Sequence, residues 1–259
     1  MLIDAHCHLD NAAFDPDRDA VLARARHAGV DQLVVAGTHR QGWQATLQQS
    51  HHDRVHVCLG LHPVFLAHHH LSGGDDDLAA LARALDQHPE CVAVGECGID
   101  ARFGDTLEQQ WRLFDAQLAL AKERDLPVVV HCVRANDEVA KRLRQLALPA
   151  GGVIHAFSGS AQQASRFLDL GFVLGLGGAV TYPRAARLRR AVVSLPDDGF
   201  LLESDSPDMP LCGHQGQRNE PARVAQVCDC VAELRRQTSE RVADCSSANA
   251  RRLFRLPPG

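Results

Sequence analysis

The sequence predicts an α/β fold, a single (β/α)8 TIM-type barrel spanning residues 1–259 with C-terminal helices packed outside. Three observations lead to this prediction. The chain has 259 residues, close to the roughly 250 of a typical eight-fold barrel. Short β-branched runs alternate with longer helical patterns, which indicates parallel βα units. An open doubly wound sheet is less favoured, because no glycine-rich phosphate loop follows the first run.

Eight short apolar runs are interpreted as strands, and nearly all are apolar enough to be buried on both faces of a parallel sheet. In chain order they are Leu2–Ala5, Gln32–Ala36, Val55–Gly60, Cys91–Gly95, Pro127–Val130, Gly152–Ile154, Phe172–Leu176 and Phe200–Glu203. The segments between them repeat apolar residues at spacings of three and four, which predicts helices. Gly29, Gly171 and Gly199 come where helices give way to strands, consistent with C-terminal caps.

The remaining segments are predicted as loops and terminal helices. Residues 206–218 contain two prolines and two glycines and predict a long loop. Residues 219–254 predict helices that pack outside the barrel. The segment 67–77 is polar, and although its three histidines could chelate a metal, we interpret it as a solvated loop.

Composition limits the class of protein. Hydrophobic residues make up 45% and charged residues 23%, and no apolar run approaches the roughly 20 residues of a membrane helix. Nine cysteines, an odd number that falls mostly in apolar runs, indicate reduced core thiols. We therefore expect a cytoplasmic monomer with no membrane partner. A net charge of −5 gives no general attraction to phosphate backbones, so any nucleic-acid binding would need a local basic patch.

Reactive side chains follow most of the predicted strands. In such barrels the active site lies at the C-terminal ends of the strands, so these side chains should converge. Six of them are candidate metal ligands: His6, His8, Glu96, His131, His155 and Asp205. A lone histidine at a strand end is more often structural, and only the combination favours a metal. In an extended segment residues i and i+2 point the same way, so His6 and His8 can bind one ion together.

Six protein ligands exceed what one ion usually takes, which favours two divalent cations bridged by a carboxylate. Glu96, from the middle of the ligand order, is the best candidate for the bridge. Imidazole and carboxylate ligands suit several metals, and Mg, Mn and Zn all remain open. A carbamylated lysine is excluded as the bridge, because Lys122 and Lys141 both lie in helical stretches.

Seven segments match a known family in order along nearly the whole chain. They are IDAHCHLD (3–10), GLHP (60–63), VGECGID (94–100), PVVVHCVRA (127–135), VIHAFSGS (153–160), LLESDSPD (201–208) and NARRLF (249–254). On these motifs the chain resembles the TatD-type metal-dependent deoxyribonucleases, a branch of the amidohydrolase-like barrels. Small departures, such as Cys97, Ile99, Ser204 and Ser206, remove no ligand.

The resemblance implies two metal sites and a nuclease activity. It implies a first metal held by His6, His8, Glu96 and Asp205. It implies a second metal held by Glu96, His131 and His155. The implied reaction is Mg- or Mn-supported hydrolysis of DNA phosphodiester bonds, usually by removal of nucleotides from a 3′ end. Single strands or 3′ ends of DNA are therefore the expected partners.

The chemistry assigns roles to the candidate residues. Asp205, a carboxylate beside the activated water, is the candidate general base as well as a ligand, and Glu96 shares the catalytic centre. Arg134 and Arg184 are candidate phosphate contacts near the rim, and for Arg134 a salt-bridged surface arginine is the equal alternative. His62 in GLHP is interpreted as a phosphate contact or as a support for a ligand.

Aromatic side chains that could stack on bases are scarce. Phe65, Phe103, Phe157 and Tyr182 lie near strand ends and are the candidates, although packing in the core is the commoner fate of such residues. Two other functions stay open. The same metal pair could hydrolyse small phosphoesters, amides or lactones, and more remotely the barrel could be a non-catalytic binding protein.

Overall fold

Eight parallel strands form the centre of the molecule, which we describe from a computed structural model of residues 1–73 and 75–257. Each strand pairs with the next along the chain. They are β1 (Leu2–Cys7), β2 (Val30–Ala36), β3 (Val55–Leu59), β4 (Cys91–Asp100), β5 (Val128–Val133), β6 (Gly152–Ile154), β7 (Phe172–Leu176) and β8 (Phe200–Leu202). The Asp205 amide donates to the His6 carbonyl at 3.0 Å and the His8 amide to the Ser206 carbonyl at 2.8 Å. These bonds join the two ends of the sheet, and the predicted TIM-type barrel is confirmed.

Helices connect the strands on the outside. They are α1 (Arg18–His27), α2 (Trp43–Gln49), α3 (Asp77–Gln87), α4 (Leu107–Glu123), α5 (Asn136–Leu146), α6 (Ala161–Leu168), α7 (Ala186–Ser194), α8 (Val224–Arg235) and α9 (Ser239–Phe254). Within the described ranges, none of them is long and apolar enough to cross a lipid bilayer. The predicted loop 206–218 has neither helix nor strand.

Three strands extend beyond their predicted ends, and the first of them, β1, runs to Cys7 instead of Ala5. The sequence placed the end of the fourth strand at Gly95, but β4 reaches Asp100 because Gly98, Ile99 and Asp100 pair with the end of β5. The fifth strand likewise continues past Val130 to Val133. Three candidate ligands, His6, Glu96 and His131, therefore lie within strands rather than directly after them.

A narrow apolar layer fills the inside of the barrel, separate from the larger core between the strands and helices. It takes side chains from all eight strands: Ile3, Ala5, Val34, Ala36, Cys58, Ala93, Val129, Val153, Val173 and Leu201. Most of these are small, as the interior of an eight-stranded barrel requires.

The end of α9 covers this inner layer. Ala250, Phe254 and Leu256 are buried in the same cluster as the inward-facing strand residues. The Ser247 hydroxyl donates to the carbonyl of Met1, which ties α9 to the start of β1. The terminal helices were expected outside the barrel. The last turn of α9 adds a feature that helical periodicity could not show, since it seals the amino-terminal end of the strands.

The segment 67–77 was predicted as a solvated loop, and the structure describes all of it except position 74. Of the predicted domain 1–259, residues 258 and 259 also lie outside the described ranges. His69 in this loop is buried rather than solvated. Its Nε2 donates to the backbone carbonyl of His62 at 3.0 Å. The loop therefore packs against the segment that follows β3.

Candidate metal centre

Simple strand alternation brings three of the candidate ligands to the inside. In β5 the side chain of Val129 belongs to the inner layer and that of Val130 to the outer core, so His131 points inward. By the same period of two, His155 follows Val153 and Asp205 follows Leu201 on the inner side. These positions could be read directly from the sequence.

In β4 and β1, irregular pairing with a neighbouring strand turns the candidate ligand toward the inside of the barrel. In β4 Ala93 faces inward and Val94 outward, so strict alternation would turn Glu96 outward. The pairing of β4 with β5 shifts between Val94 and Cys97, and such a bulge re-aims the side chains that follow it. Glu96 then enters the barrel and Cys97 joins the outer core. The pairing of β1 shifts in the same way before Cys7, which brings His6 inside.

Four donor atoms lie close together, and three of them form a nearly equilateral triangle. His6 Nε2, His8 Nε2 and Glu96 Oε2 are each 3.3 Å apart. Asp205 Oδ1 lies 3.5 Å from both histidine nitrogens. Ligands that surround an ion tetrahedrally at about 2.0–2.1 Å are about 3.3–3.4 Å from one another. These separations therefore fit a shared divalent cation.

The second oxygen of Glu96 faces the other half of the centre. Glu96 Oε1 lies 2.9 Å from His131 Nδ1, 3.0 Å from His62 Nε2 and 3.7 Å from His155 Nε2. His155 Nε2 is also 3.7 Å from Asp205 Oδ1. Glu96 thus directs one oxygen to His6 and His8 and the other to the second group of histidines.

The outward nitrogens of three histidines fix which ring atom faces the centre. His8 Nδ1 lies 2.9 Å from the carbonyl oxygen of Ala36, which can only accept a hydrogen bond. The proton of the neutral ring therefore sits on Nδ1, and Nε2 has a free lone pair. His131 Nε2 is 3.2 Å from Asp100 Oδ2, so a neutral ring that keeps its proton on this side presents the Nδ1 lone pair to the centre, 2.9 Å from Glu96 Oε1.

Glu203 supports His155 in a comparable way. His155 Nδ1 is 3.0 Å from Glu203 Oε1, although the nitrogen is not aligned for a full hydrogen bond. The contact is therefore an electrostatic one. Glu203 is fully buried and accepts a hydrogen bond of 2.6 Å from the Ala156 amide. The Nε2 atom of His155 is left facing Glu96 and Asp205.

His62 has the opposite arrangement. Its Nδ1 accepts a hydrogen bond from the Val64 amide at 3.1 Å, so the neutral ring is protonated on Nε2. That Nε2–H donates to Glu96 Oε1 at 3.0 Å. Burial lowers the pKa of His62, which favours this neutral form. His62 is therefore a donor that holds Glu96 in place, while the predicted contact with substrate stays a prediction.

Sequence reasoning missed the buried carboxylates that support the ligands. Glu203 precedes Asp205 by two residues and Asp100 follows Glu96 by four, so the period of two along a strand could have placed both on the inner side. Asp100 is also held by Arg102, whose Nε lies 2.9 Å from its Oδ1. No pattern in a single sequence distinguishes such supporting carboxylates from direct ligands.

Strong electrostatic coupling runs through the cluster. Burial opposes a charge on His6, but Glu96 and Asp205 outweigh it and raise the pKa of the imidazole to about 10. Burial likewise opposes a charge on His131, yet Asp100 and Glu96 raise its pKa to about 9. Despite its burial, Glu96 has a pKa well below the usual range because histidines surround it. The metal-free cluster therefore holds protons where cations would bind.

A cavity of about 490 Å³ opens onto this cluster. His8, Glu96, His131, His155 and Asp205 line it from the barrel side, while His6 is buried behind them. The remaining lining residues are Asp10, Asn11, Ala12, Thr38, His39, Gly42, Ala45, His62, Val64, Phe65, Arg102 and Asp208.

The two arginines predicted to bind phosphate lie outside this lining. Arg134 is exposed on the segment after β5. Arg184 is exposed as well, and its guanidinium lies 5.2 Å from the ring centroid of Tyr182. Arg102 is the arginine that lines the cavity, and Asp100 already pairs with it.

The sequence and fold match known proteins over their full length. A sequence model described as TatD related DNase matches residues 3–255. The uncharacterized metal-dependent hydrolase YjjV of Escherichia coli (strain K12) is 44% identical, with 98% of each chain covered. The 3′-5′ ssDNA/RNA exonuclease TatD of Erwinia tasmaniensis is 36% identical over 98% of this chain and 100% of that protein.

A solved structure is similar in the same measure. The crystal structure of YjjV, a TatD homolog from Escherichia coli K12, superposes with a TM-score of 0.93 at 43% identity, covering 99% of this chain and 98% of that one. The resemblance inferred from the seven motifs is thereby confirmed. The chain belongs to the TatD-related DNase family and is a metal-dependent hydrolase.

Proposed function

We propose that this protein hydrolyses DNA phosphodiester bonds and removes nucleotides from the 3′ end of a strand. The observation that carries the proposal is the convergence of the six donor side chains on one side of an open cavity. The names of relatives at 34–36% identity, 3′-5′ ssDNA/RNA exonucleases, support the substrate and the polarity. The 44% identical relative is called only a metal-dependent hydrolase.

Two divalent cations fit the arrangement of donors. The donors of His6, His8, Glu96 and Asp205 would hold one. Glu96 Oε1 with His131 and His155 would hold the other, and Mg, Mn and Zn are the candidate metals. When bound, such a pair activates water and neutralises the charge that develops on the phosphoryl oxygens.

The two carboxylates of the centre have different roles. Asp205 is 15% exposed and lines the cavity, whereas Glu96 is 2% exposed. Burial opposes the charge on Asp205, but His155 and His6 hold its pKa below the usual range, so the carboxylate is ionised. Its position at the cavity is what makes it the candidate to accept a proton from the attacking water. Glu96, fixed by the His62 donor, stays between the two groups of ligands.

Contacts to the DNA backbone are assigned to residues at and beyond the cavity. His62 and Arg102 line the cavity, within reach of the scissile phosphate. Arg134 and Arg184 are exposed on the loops after β5 and β7, where they would contact phosphates farther along the strand.

Hydrolysis of a small ester or amide is the second candidate. Arg102 is the one arginine in the described lining, it is paired with Asp100, and Asp10 and Asp208 add negative charge. A lining with more acidic than free basic side chains attracts a polyanionic DNA strand less than an arginine-rich cleft would. It therefore favours a small substrate.

The test is cleavage of 3′- and 5′-labelled single-stranded DNA by the purified protein with Mg or Mn. Stepwise shortening from the 3′ end is expected, and Asp205→Asn should reduce the rate by orders of magnitude while retaining the fold. No shortening by a metal-loaded sample would reject the nuclease proposal, and a panel of phosphoesters, amides and lactones would then test the second candidate.

A further inference from the structure

Phe65 is the one candidate stacking residue that reaches the cavity. Phe157 is buried in the core. Phe103 is exposed and carries Arg102 above its ring, and Tyr182 pairs with Arg184, but neither is part of the described cavity lining. Phe65 is partly exposed and lines the cavity, so its ring can contact a bound molecule.

His39 extends the aromatic surface of Phe65. The two ring centroids are 5.1 Å apart and the planes are tilted by 36°, within the range of favourable aromatic contact. The Thr38 hydroxyl lies 2.9 Å from His39 Nδ1 and orients the ring. A Cβ added at Gly42 would lie 3.0 Å from His39 Cε1, so glycine at this position gives the ring its space.

This surface lies one ring away from the metal centre. The centroid of Phe65 is 5.8 Å from that of His62, and His62 Nε2 is 3.0 Å from Glu96 Oε1. The aromatic surface and the bridging carboxylate are thus separated by about one five-membered ring, that of His62. In a nucleotide a five-membered sugar ring occupies the corresponding interval between phosphate and base.

We infer that His39 and Phe65 form a subsite that stacks the base of the 3′-terminal nucleotide of a DNA strand. This inference rests on the proposed function, because the phosphodiester must lie at the metal centre for the base to reach Phe65. Stacking on an aromatic ring accepts any base, since every base has a π face. The subsite therefore gives affinity for a terminal nucleoside with little preference among the four bases.

The experiment compares two DNA strands that differ only in the terminal base. One ends in an ordinary 3′ nucleotide and the other in a deoxyribose that lacks its base, and kcat/KM for release of the last residue is measured with Mg. The wild-type protein should prefer the strand with the base by about five- to a hundred-fold, the range that stacking of one base contributes. In Phe65→Leu this preference should fall close to one, and Phe65→Trp should restore it.

A binding measurement separates stacking from a general loss of structure. A strand with 2-aminopurine at its 3′ end is titrated with protein that carries Asp205→Asn. Stacking should quench the fluorescence, and adding Phe65→Leu should abolish the quenching. Trp111→Leu is the matched control, since it removes a partly exposed aromatic ring of α4 that is not part of the described lining, and it should change neither result.

The two proposals fail in different ways. If the wild-type protein shortens both strands equally, or Phe65→Leu slows both equally, the nuclease function stands and the base subsite is rejected. If the wild-type protein shortens neither strand, the proposed function itself is rejected, and the subsite with it.

Discussion

The direction of each histidine ring is set at the level of single hydrogen bonds. Carbonyl or carboxylate oxygens face the outer nitrogens of His8 and His131, which leaves an unprotonated nitrogen toward the centre in the neutral ring. In His62 the Val64 amide reverses this order. Two chemically identical side chains in one cavity therefore differ, one being a candidate ligand and the other a hydrogen-bond donor, because different backbone groups face them.

Glu203 offers a test of this support. Glu203→Gln keeps the shape of the side chain but removes the negative charge 3.0 Å from His155 Nδ1. Metal affinity should fall by about 10- to 100-fold, as is typical when a carboxylate behind a metal-bound histidine is changed. Titration calorimetry with Mn²⁺ measures the effect, and Glu108→Gln on the exposed surface of α4 is the control. Unchanged affinity would argue against this role.

Metal binding should release protons. In the metal-free protein the pKa of His6 is raised to about 10 and that of His131 to about 9, so both imidazoles are charged at pH 7 and must lose their extra protons to coordinate a cation. Apparent affinity should therefore rise as the pH increases from 7 toward 10.

Calorimetry in buffers of different ionisation enthalpy counts the protons released. At pH 7 we expect at least two, one each from His6 and His131, and about one fewer from His131→Gln. A binding enthalpy that is the same in every buffer would contradict the prediction.

At the scale of elements, a glycine in β7, Gly175, leaves space for the side chain of Glu203, which follows β8. A Cβ added at Gly175 would overlap Glu203 Oε2, because the two atoms would be much closer than van der Waals contact allows. Glu203 is held by the Ala156 amide, so it cannot move aside freely. At Gly177, two residues later, an added Cβ would meet its neighbours at ordinary distances, the nearest 3.4 Å away.

These neighbouring glycines make a matched pair. Gly175→Ala should lower the free energy of unfolding by about 1–3 kcal/mol through overpacking and should weaken metal binding because Glu203 shifts away from His155. Gly177→Ala should do neither. Urea unfolding and Mn²⁺ titration of both variants test this, and equal effects from the two substitutions would show that Glu203 is not the cause.

At the scale of the whole molecule, the α9 residues that seal the barrel and the candidate metal centre lie at opposite ends of the strands. Phe254 of α9 is 2% exposed and packs against the inner layer at the amino end of the strands. The candidate metal ligands lie at the carboxyl end, and the inner layer separates them from Phe254. A change at one end should therefore leave the other largely unaffected.

Phe254→Ala should cost about 3–5 kcal/mol of unfolding free energy, as is usual for a buried phenylalanine, with Mn²⁺ affinity unchanged. Urea unfolding and calorimetry on the same samples separate the two quantities. Arg252→Ala, on the exposed side of α9, should change stability little. Metal affinity that falls together with stability in Phe254→Ala would disprove the separation.

The sequence by itself determined the eight βα units and the convergence of the six candidate ligands. It could do so because parallel strands that alternate with helices place their carboxyl ends at one face, and because a period of two puts His131, His155 and Asp205 on the inner side. The resemblance to the family followed from the same motifs.

Only the tertiary structure decided how Glu96 and His6 enter the barrel, where α9 ends and which aromatic ring reaches the cavity. The inward turn of Glu96 depends on a shift in pairing between two strands, and pairing is a relation between segments that no single segment encodes. The positions of Phe254 and Phe65 depend likewise on neighbours distant in the chain. Local patterns determine which face of an element is apolar, whereas packing between elements determines what that face contacts.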